Sequence, residues 1–212
     1  STEPGEAARW EAEAQRQVDR LDTMVDSILA SLRLLAEEPP KVGPVDVVAV
    51  VEGTVISLAA ILRLHRLKTT FRERPLNAVG SADLLSRVLE YLLENGAKYA
   101  PPGGRILLTG RRDGGRVLLE ITDDGPGILA EWRDRIFEPF VRADDSSRGA
   151  GVGLFAARHL ARSMGGELRV EDRPSAGSRF VLELAAAHGP VNRRSRRGAE
   201  AALQPAPGSS SR

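Results

Sequence analysis

Apolar residues near the start of the chain recur with the spacing of a helix that pairs with another helix. Six of them are separated alternately by three and four positions, which is typical of a coiled-coil face rather than of a helix packed on a sheet. They are Val18, Leu21, Val25, Ile28, Leu32 and Leu35. Pro39 and Pro40 end the pattern, since proline cannot continue a helix. Residues 1–40 are therefore predicted to hold one long helix that needs a partner.

A second amphipathic helix is predicted over residues 81–99. A polar stripe of Arg87, Tyr91, Asn95 and Lys98 occupies one face, at the spacings that place side chains on the same side of a helix. The opposite face carries the leucines Leu85, Leu89, Leu92 and Leu93. A stripe of this kind is most often a solvated helix face, so by itself it does not indicate a site.

The rest of the pattern predicts another helix and several strands. Residues 45–64 are apolar enough for a buried helix, although Gly53 and many β-branched residues are poor helix formers. Residues 105–112 and 116–123 are predicted as strands of a hairpin, because an Asp-Gly-Gly sequence joins them. The other predicted elements are an extended segment at 67–76, a short helix at 131–137, a mobile polar loop at 141–151, a helix at 153–164, and strands at 167–172 and 178–184.

Composition narrows the classes of function. The chain has 212 residues, a formal net charge of +1 and no cysteine. Near-neutral charge provides no overall field for holding nucleic acid or an acidic membrane, and the lack of cysteine excludes disulfides and thiolate metal sites. No apolar run reaches the roughly 18 residues of a membrane helix, so we expect a cytoplasmic location, with membrane attachment of a parent protein left open. The predicted domain plan is a helix at 1–40, a globular domain at 41–187 and a disordered basic tail at 188–212.

The sequence ITDDGPGI at 121–128 contains the first chemistry-bearing group. Asp123 ends a predicted strand, where burial would leave an ionised carboxylate that accepts hydrogen bonds and donates none. That property suits the exocyclic amine of adenine and opposes the carbonyl oxygen of guanine, a mismatch that can cost a factor of about 10⁴ in discrimination. Gly125 and Gly127 let a flat ligand lie against the main chain. A plain surface turn is the competing interpretation.

Two further features indicate metal and phosphate chemistry. Asn95 offers a neutral amide oxygen, which suits a Mg²⁺ ion that takes its other ligands from water and phosphate, and Lys98 lies one turn further on. Gly149, Gly151 and Gly153 precede a helix, and unpaired N–H groups at a helix start attract anions. No strand precedes these glycines, so a dinucleotide-binding βαβ unit is disfavoured.

Five motifs in a fixed order carry a family resemblance. They are LLENGAKYAPPG, ITDDGPGI, RIFEPFVR, GAGVGLFAARHLARSMGG and SAGSRFVLEL. Together they resemble the catalytic, ATP-binding domain of sensor histidine kinases, in the ATPase superfamily shared with gyrase, the large heat-shock chaperone and the mismatch-repair ATPases. The resemblance extends over about residues 45–184. It implies an α+β fold, a two-layer α/β sandwich with a mixed sheet under three helices and a long N-terminal helix, with ATP and Mg²⁺ as cofactors.

The resemblance also implies roles for the matched positions. Asn95 would ligate Mg²⁺ and, with Lys98, form the catalytic pair, while Asp123 would read adenine. Phe137 and Phe140 would anchor a lid. Arg142 and Arg148 are the candidates for a lid arginine that contacts the γ-phosphate. The implied nucleotide-binding residues are Asn95, Lys98, Tyr99, Asp123, Gly125, Gly127, Ile128, Phe140, Arg142, Gly149, Gly151, Val152, Gly153, Leu154 and Ser178.

The N-terminal helix resembles the second helix of the dimerisation hairpin of such kinases, which implies a homodimer of the full-length protein. The first helix of that hairpin carries the phosphoacceptor histidine, and His65, His159 and His188 all lack its acidic and proline context. The implied function is transfer of the ATP γ-phosphate to a histidine on a helix absent from this chain, so the chain alone is expected to be inactive. The implied partners are ATP or ADP, that helix and a response regulator, with no nucleic acid and no membrane contact by this piece.

Tyr91 keeps other functions open. It stands where hydrolytic relatives have a glutamate base, and tyrosine is a poor general base at neutral pH. The main alternative is therefore a nucleotide-binding regulatory module that has lost phosphoryl transfer, and a scaffold for partner assembly is the third. A serine kinase of the kind that phosphorylates an anti-sigma antagonist ranks lower, because the N-terminal helix would then be unnecessary.

Overall fold

This computed structural model describes residues 10, 15, 41–141, 151–173 and 176–187 of the chain. The predicted N-terminal helix, apart from two isolated positions, lies outside the described residues. The same holds for the predicted tail at 188–212 and for residues 142–150 of the predicted loop.

In the described residues, seven strands form two sheets. They are β1 Gly43–Asp46, β2 Arg66–Phe71, β3 Asn77–Gly80, β4 Arg105–Asp113, β5 Arg116–Asp123, β6 Glu167–Glu171 and β7 Arg179–Ala185. Five of them form a sheet in the order β2-β4-β5-β7-β6, in which only β2 and β4 pair in parallel. β1 and β3 form a separate antiparallel pair, which a bridge from Ala78 to Ala186 joins to the end of β7. The predicted mixed sheet is confirmed.

Within residues 41–187, the described part of the chain holds four α-helices that accompany the sheets. They are α1 Val47–Ser57, α2 Ala59–Leu62, α3 Ala82–Tyr99 and α4 Gly153–Ser163. α3 and α4 pack on each other, with α3 against β5 and α4 against β6, while α1 packs on α3. The two-layer sandwich is therefore as predicted. No helix in the described ranges is long and apolar enough to cross a lipid bilayer.

The predicted helix over residues 45–64 is wrong in its bounds and its burial. α1 begins only after β1, where the Asp46 side chain accepts a hydrogen bond from the Val48 N–H at 3.1 Å and caps the helix. The helix is interrupted at Leu58, and Ile56 is 74% exposed. An apolar run can be shared between a short strand and a helix, and periodicity does not separate the two.

Two other segments differ from prediction. The short helix predicted at 131–137 is two 3₁₀ helices, Ala130–Trp132 and Arg135–Phe137. The extended segment predicted at 67–76 ends as β2 at Phe71, and the four-residue β3 was not predicted.

The alternation of buried side chains along β5 ends at Asp123. The alternate residues Val117, Leu119 and Ile121 are fully buried beneath the helices, because successive side chains of a strand point to opposite faces of the sheet. The next position in this series is Asp123, which is 1% exposed. The fold therefore places a carboxylate where the strand otherwise carries core aliphatics.

Candidate functional site

The two carboxylate oxygens of Asp123 have different surroundings. Oδ1 accepts hydrogen bonds from the N–H of Gly125 at 2.8 Å and from the N–H of Ser178 at 3.4 Å. Oδ2 is buried and has no hydrogen-bond partner among the described residues. Buried polar atoms in folded proteins are nearly always paired, so Oδ2 marks a place where a ligand donor would complete the structure.

The ionisation of Asp123 is set by opposing effects. Burial raises the pKa of the Asp123 carboxyl, while hydrogen bonds from Gly125 and Ser178 and the charge of Arg173 lower it. Burial disfavours the charged form and is the largest of these effects. A neutral N–H donor at Oδ2 would offset part of this desolvation by pairing the free oxygen.

The glycines after Asp123 are required by close packing. A Cβ at Gly125 would lie 2.7 Å from Asp123 Oδ1 and 3.1 Å from the Tyr99 carbonyl oxygen. Gly127 lies against the loop before β7, with its added Cβ 3.2 Å from the Gly177 carbonyl oxygen. Ile128 packs on the core. The turn therefore connects the end of α3 to the loop that carries Ser178.

α3 lies over this turn and extends toward the start of α4. A Cβ added at Gly96 would lie 3.8 Å from the Asp123 Cβ, and a Cβ added at Gly153 would lie 3.3 Å from the Tyr91 ring. Asn95 is partly buried and belongs to the helical turn between these two contacts. The structure thus brings Asn95, Asp123 and Gly153 into one region.

The polar stripe of α3 is not uniformly solvated. Tyr91 packs against the core, whereas Lys98 is exposed, with its Nζ 4.9 Å from the centroid of the Tyr99 ring. A solvated face does not account for Tyr91, so the stripe is only partly the ordinary wet side of an amphipathic helix.

The glycine-rich motif is described from Gly151 onward. The Gly151 carbonyl accepts a hydrogen bond from the Phe140 N–H at 3.0 Å, and Val152 and Leu154 pack at the start of α4. Phe140 has φ +67° and is 44% exposed, whereas Phe137 is buried, edge-on to Phe180. The remaining predicted residues, Arg142, Arg148 and Gly149, lie outside the described residues.

Two arginines near Asp123 were not predicted. Arg173 Nη1 donates to the Asp123 carbonyl oxygen at 2.6 Å, and Arg105 pairs with Asp124, Nε to Oδ2, at 2.9 Å. The bond from Arg105 lowers the pKa of Asp124. Arg105 and Asp124 face each other across the β4–β5 hairpin, so the predicted hairpin implies that pair. No local sequence pattern marks the contact of Arg173, which lies 50 residues from Asp123 in the chain.

A separate open groove of about 400 Å³ lies between α4 and the second 3₁₀ helix. Phe137, Phe155, Arg158 and His159 are among its lining residues, and the His159 ring stacks on Phe155 with centroids 6.3 Å apart. None of the lining residues comes from α3 or from residues 121–128. This groove therefore does not include Asp123 or Asn95.

Comparison with known proteins gives a consistent assignment. Residues 80–188 match the family model described as histidine kinase-, DNA gyrase B-, and HSP90-like ATPase. The sensor-like histidine kinase SenX3 of Mycobacterium tuberculosis is 32% identical over 177 residues, covering 80% of this chain and 43% of that protein. The chain spans less than half the length of the curated relatives it matches first.

Solved structures agree with the family match. The mycobacterial sensor histidine kinase MprB superposes with a TM-score of 0.61 at 30% identity, covering 68% of this chain and 97% of that chain. Full-length ShkA, solved in complex with AMPPNP, superposes with a TM-score of 0.69 at 28% identity, covering 86% of this chain and 40% of that chain. The chain belongs to the family of histidine kinase-, DNA gyrase B- and HSP90-like ATPases.

Proposed function

We propose that this chain is the ATP-binding catalytic portion of a two-component sensor histidine kinase. The observation that carries the proposal is the orphaned Oδ2 of Asp123, which is buried beneath α3 next to the turn that carries Asn95. An acceptor that is desolvated and unpaired selects a ligand with an N–H at that point, as the exocyclic amine of adenine provides.

The phosphates would extend from the base toward Asn95 and the start of α4. Lys98 supplies a positive charge at the exposed end of α3, and Gly151, Val152 and Gly153 form the described entry to α4, where backbone N–H groups favour anions. The rest of the site would be formed by Tyr99, Ile128, Phe140, Leu154 and Ser178. Arg142, Arg148 and Gly149, which lie outside the described residues, would complete it.

Asn95 fits a Mg²⁺ ion bound mainly through the nucleotide. Among the described residues, no group of three or more histidine, cysteine, aspartate or glutamate side chains gathers as a metal site. One amide oxygen from the protein, with phosphate oxygens and water for the rest, is a coordination that Mg²⁺ accepts. Mg²⁺, when bound, would neutralise charge on the phosphates.

The reaction we infer is phosphoryl transfer to an imidazole. A histidine nitrogen would attack the γ-phosphorus, the bond from that phosphorus to the β,γ-bridging oxygen would break, and ADP would leave. We infer that none of His65, His159 and His188 is the acceptor, so this chain does not label itself. A response regulator would take the phosphoryl group from the acceptor histidine, and the full-length protein would act as a homodimer through the N-terminal helix.

Labelled ATP tests this function. The chain is mixed with Mg²⁺, γ-labelled ATP and a separately made dimerisation hairpin that carries an acceptor histidine, and acid-labile label on the hairpin is measured. We expect label on the hairpin and none on the chain. Binding of ATP without any transfer would instead support the regulatory module, and no nucleotide binding at all would support the scaffold.

A further inference from the structure

The main-chain carbonyl of Asp123 is held by a side chain rather than by a strand. β5 and β7 pair in register as far as Thr122 and Arg179, and the Asp123 N–H still donates to the Ser178 carbonyl at 3.2 Å. Beyond that point Gly177 turns the second chain away, with φ +107°. The Asp123 carbonyl accepts instead from Arg173 Nη1 at 2.6 Å.

Arg173 is well placed to fix this peptide group. Its side chain is only 16% exposed, and its Nη2 lies 3.7 Å from Asp124 Oδ1. A Cβ at Gly177 would collide with both Arg173 Nη1 and the Asp123 carbonyl oxygen. Three chain segments therefore meet at one carbonyl, and only glycine at 177 leaves space for the guanidinium.

The peptide group between Asp123 and Asp124 is held at both of its ends. Arg173 binds the carbonyl, and the Asp124 N–H donates to the Arg105 carbonyl at 3.2 Å. Rotation of this peptide would move the Gly125 N–H, which holds Asp123 Oδ1 at 2.8 Å. The direction of Oδ2 therefore depends on the orientation that Arg173 enforces.

We propose that Arg173 is a positioning residue for base selection, which holds the Asp123 carboxylate so that Oδ2 faces the exocyclic position of the purine. This inference rests on the proposed function, because it requires a purine nucleotide at Asp123. A hydrogen bond from a charged donor to a carbonyl is strong enough to maintain such an orientation.

The test compares two nucleotides that differ at the exocyclic position. ADP carries an amine there and IDP a carbonyl oxygen, so the ratio of their affinities reports on Oδ2. We expect Arg173→Met to lower ADP affinity about tenfold and to lower the ADP-to-IDP affinity ratio by a similar factor, because the peptide group that orients the Asp123 carboxylate loses its charged donor. Arg173→Lys retains one charged donor and should give a ratio between those of Met and wild type.

Arg133→Met is the matched control. Arg133 pairs with Asp172 Oδ1 at 2.8 Å, one residue from Arg173, and makes no hydrogen bond to Asp123 that the structure shows. The ADP-to-IDP affinity ratio of Arg133→Met should equal that of wild type. A folded Arg173→Met variant with an unchanged ratio would overturn the inference, and if that variant does not fold, an unchanged ratio in Arg173→Lys and Arg173→Gln would do the same. Wild-type protein that binds no ADP would overturn the proposed function as well.

Discussion

Gly96 of α3 lies directly over Asp123 of β5, so that a methyl group at position 96 would stand 3.8 Å from the Asp123 Cβ. This contact places the helix turn that carries Asn95 above the end of the strand that carries the buried carboxylate. The amide proposed to bind Mg²⁺ and the carboxylate proposed to read adenine could then serve one ligand, as a nucleotide site requires.

Gly125→Ala should damage both the fold and the site. The new Cβ would lie 2.7 Å from Asp123 Oδ1, and overpacking of this kind costs about 1–3 kcal/mol. We expect a lower melting temperature and weaker ADP binding, measured by calorimetry. Gly115→Ala is the control, because nothing lies within 4 Å of a Cβ there, and it should change neither quantity by much.

ADP affinity should depend on the protonation of Asp123. Burial raises the pKa of this carboxyl, and the ionised form is the acceptor, so affinity should fall as pH falls through the raised pKa. Asp124 should not contribute, since Arg105 lowers its pKa and keeps it ionised. Calorimetric titrations between pH 5 and 8 measure the effect.

The same shift predicts a stability effect in the protein without nucleotide. A carboxyl with a raised folded-state pKa destabilises the fold above its unfolded pKa, and this penalty shrinks as pH falls through the folded pKa. The free energy of unfolding of Asp123→Asn, measured with denaturant, should therefore compare more favourably with that of wild type at neutral pH than at pH 4. A stability difference from wild type that does not vary with pH would contradict the assignment of a buried, titrating Asp123.

Asn95→Ala should remove the Mg²⁺-dependent part of ATP binding. Asn95 is the proposed protein ligand, so the gain in ATP affinity on adding Mg²⁺ should fall roughly 10–100-fold, the range seen when metal sites are impaired, while ADP binding in chelator changes little. Glu94→Gln, at the exposed neighbouring position, is the control. Equal Mg²⁺ dependence in Asn95→Ala and wild type would exclude this role.

Tyr91 is predicted to act through its ring rather than its hydroxyl. The ring packs beside Gly153 at the start of α4, so Tyr91→Phe should transfer phosphate to a hairpin histidine at the wild-type rate. Tyr91→Ala should weaken nucleotide binding by leaving a cavity there. A large loss in Tyr91→Phe would show that the hydroxyl takes part.

Strong periodicity explains what the sequence could predict. α3 could be predicted because its apolar residues repeat over several helical turns, and the β4–β5 hairpin because an Asp-Gly-Gly sequence joins two strand-like segments. The alternation along β5 places Asp123 on its buried face. β1 and the start of α1 could not be predicted, because a short strand that runs directly into an apolar helix leaves no change of period to detect. The four residues of β3 are too few to show a clear alternation.

The details of the site depend on contacts that form only in the folded chain. Arg173 reaches the Asp123 carbonyl from the loop after β6, and Gly177 is needed because that guanidinium fills the space. Such contacts depend on tertiary proximity and on main-chain atoms, which have no signature in a single sequence. The sequence pattern places Tyr91 in a polar stripe, whereas its ring packs against the core.

The proposed base-reading role of Asp123 is tested most directly by Asp123→Asn. The N–H groups of Gly125 and Ser178 both point at Oδ1, so the amide should place its oxygen there and its NH₂ where Oδ2 was. A donor would then face the adenine amine but would match the carbonyl of inosine.

The decisive measurement is the ratio of ADP to IDP affinity in wild type and Asp123→Asn, with Asp113→Asn, an exposed aspartate at the far end of β4, as the control. We predict that ADP binding falls about 10–100-fold while IDP binding holds or improves, so that the ratio drops only in the Asp123 variant. An ADP-to-IDP ratio unchanged by Asp123→Asn would contradict the account.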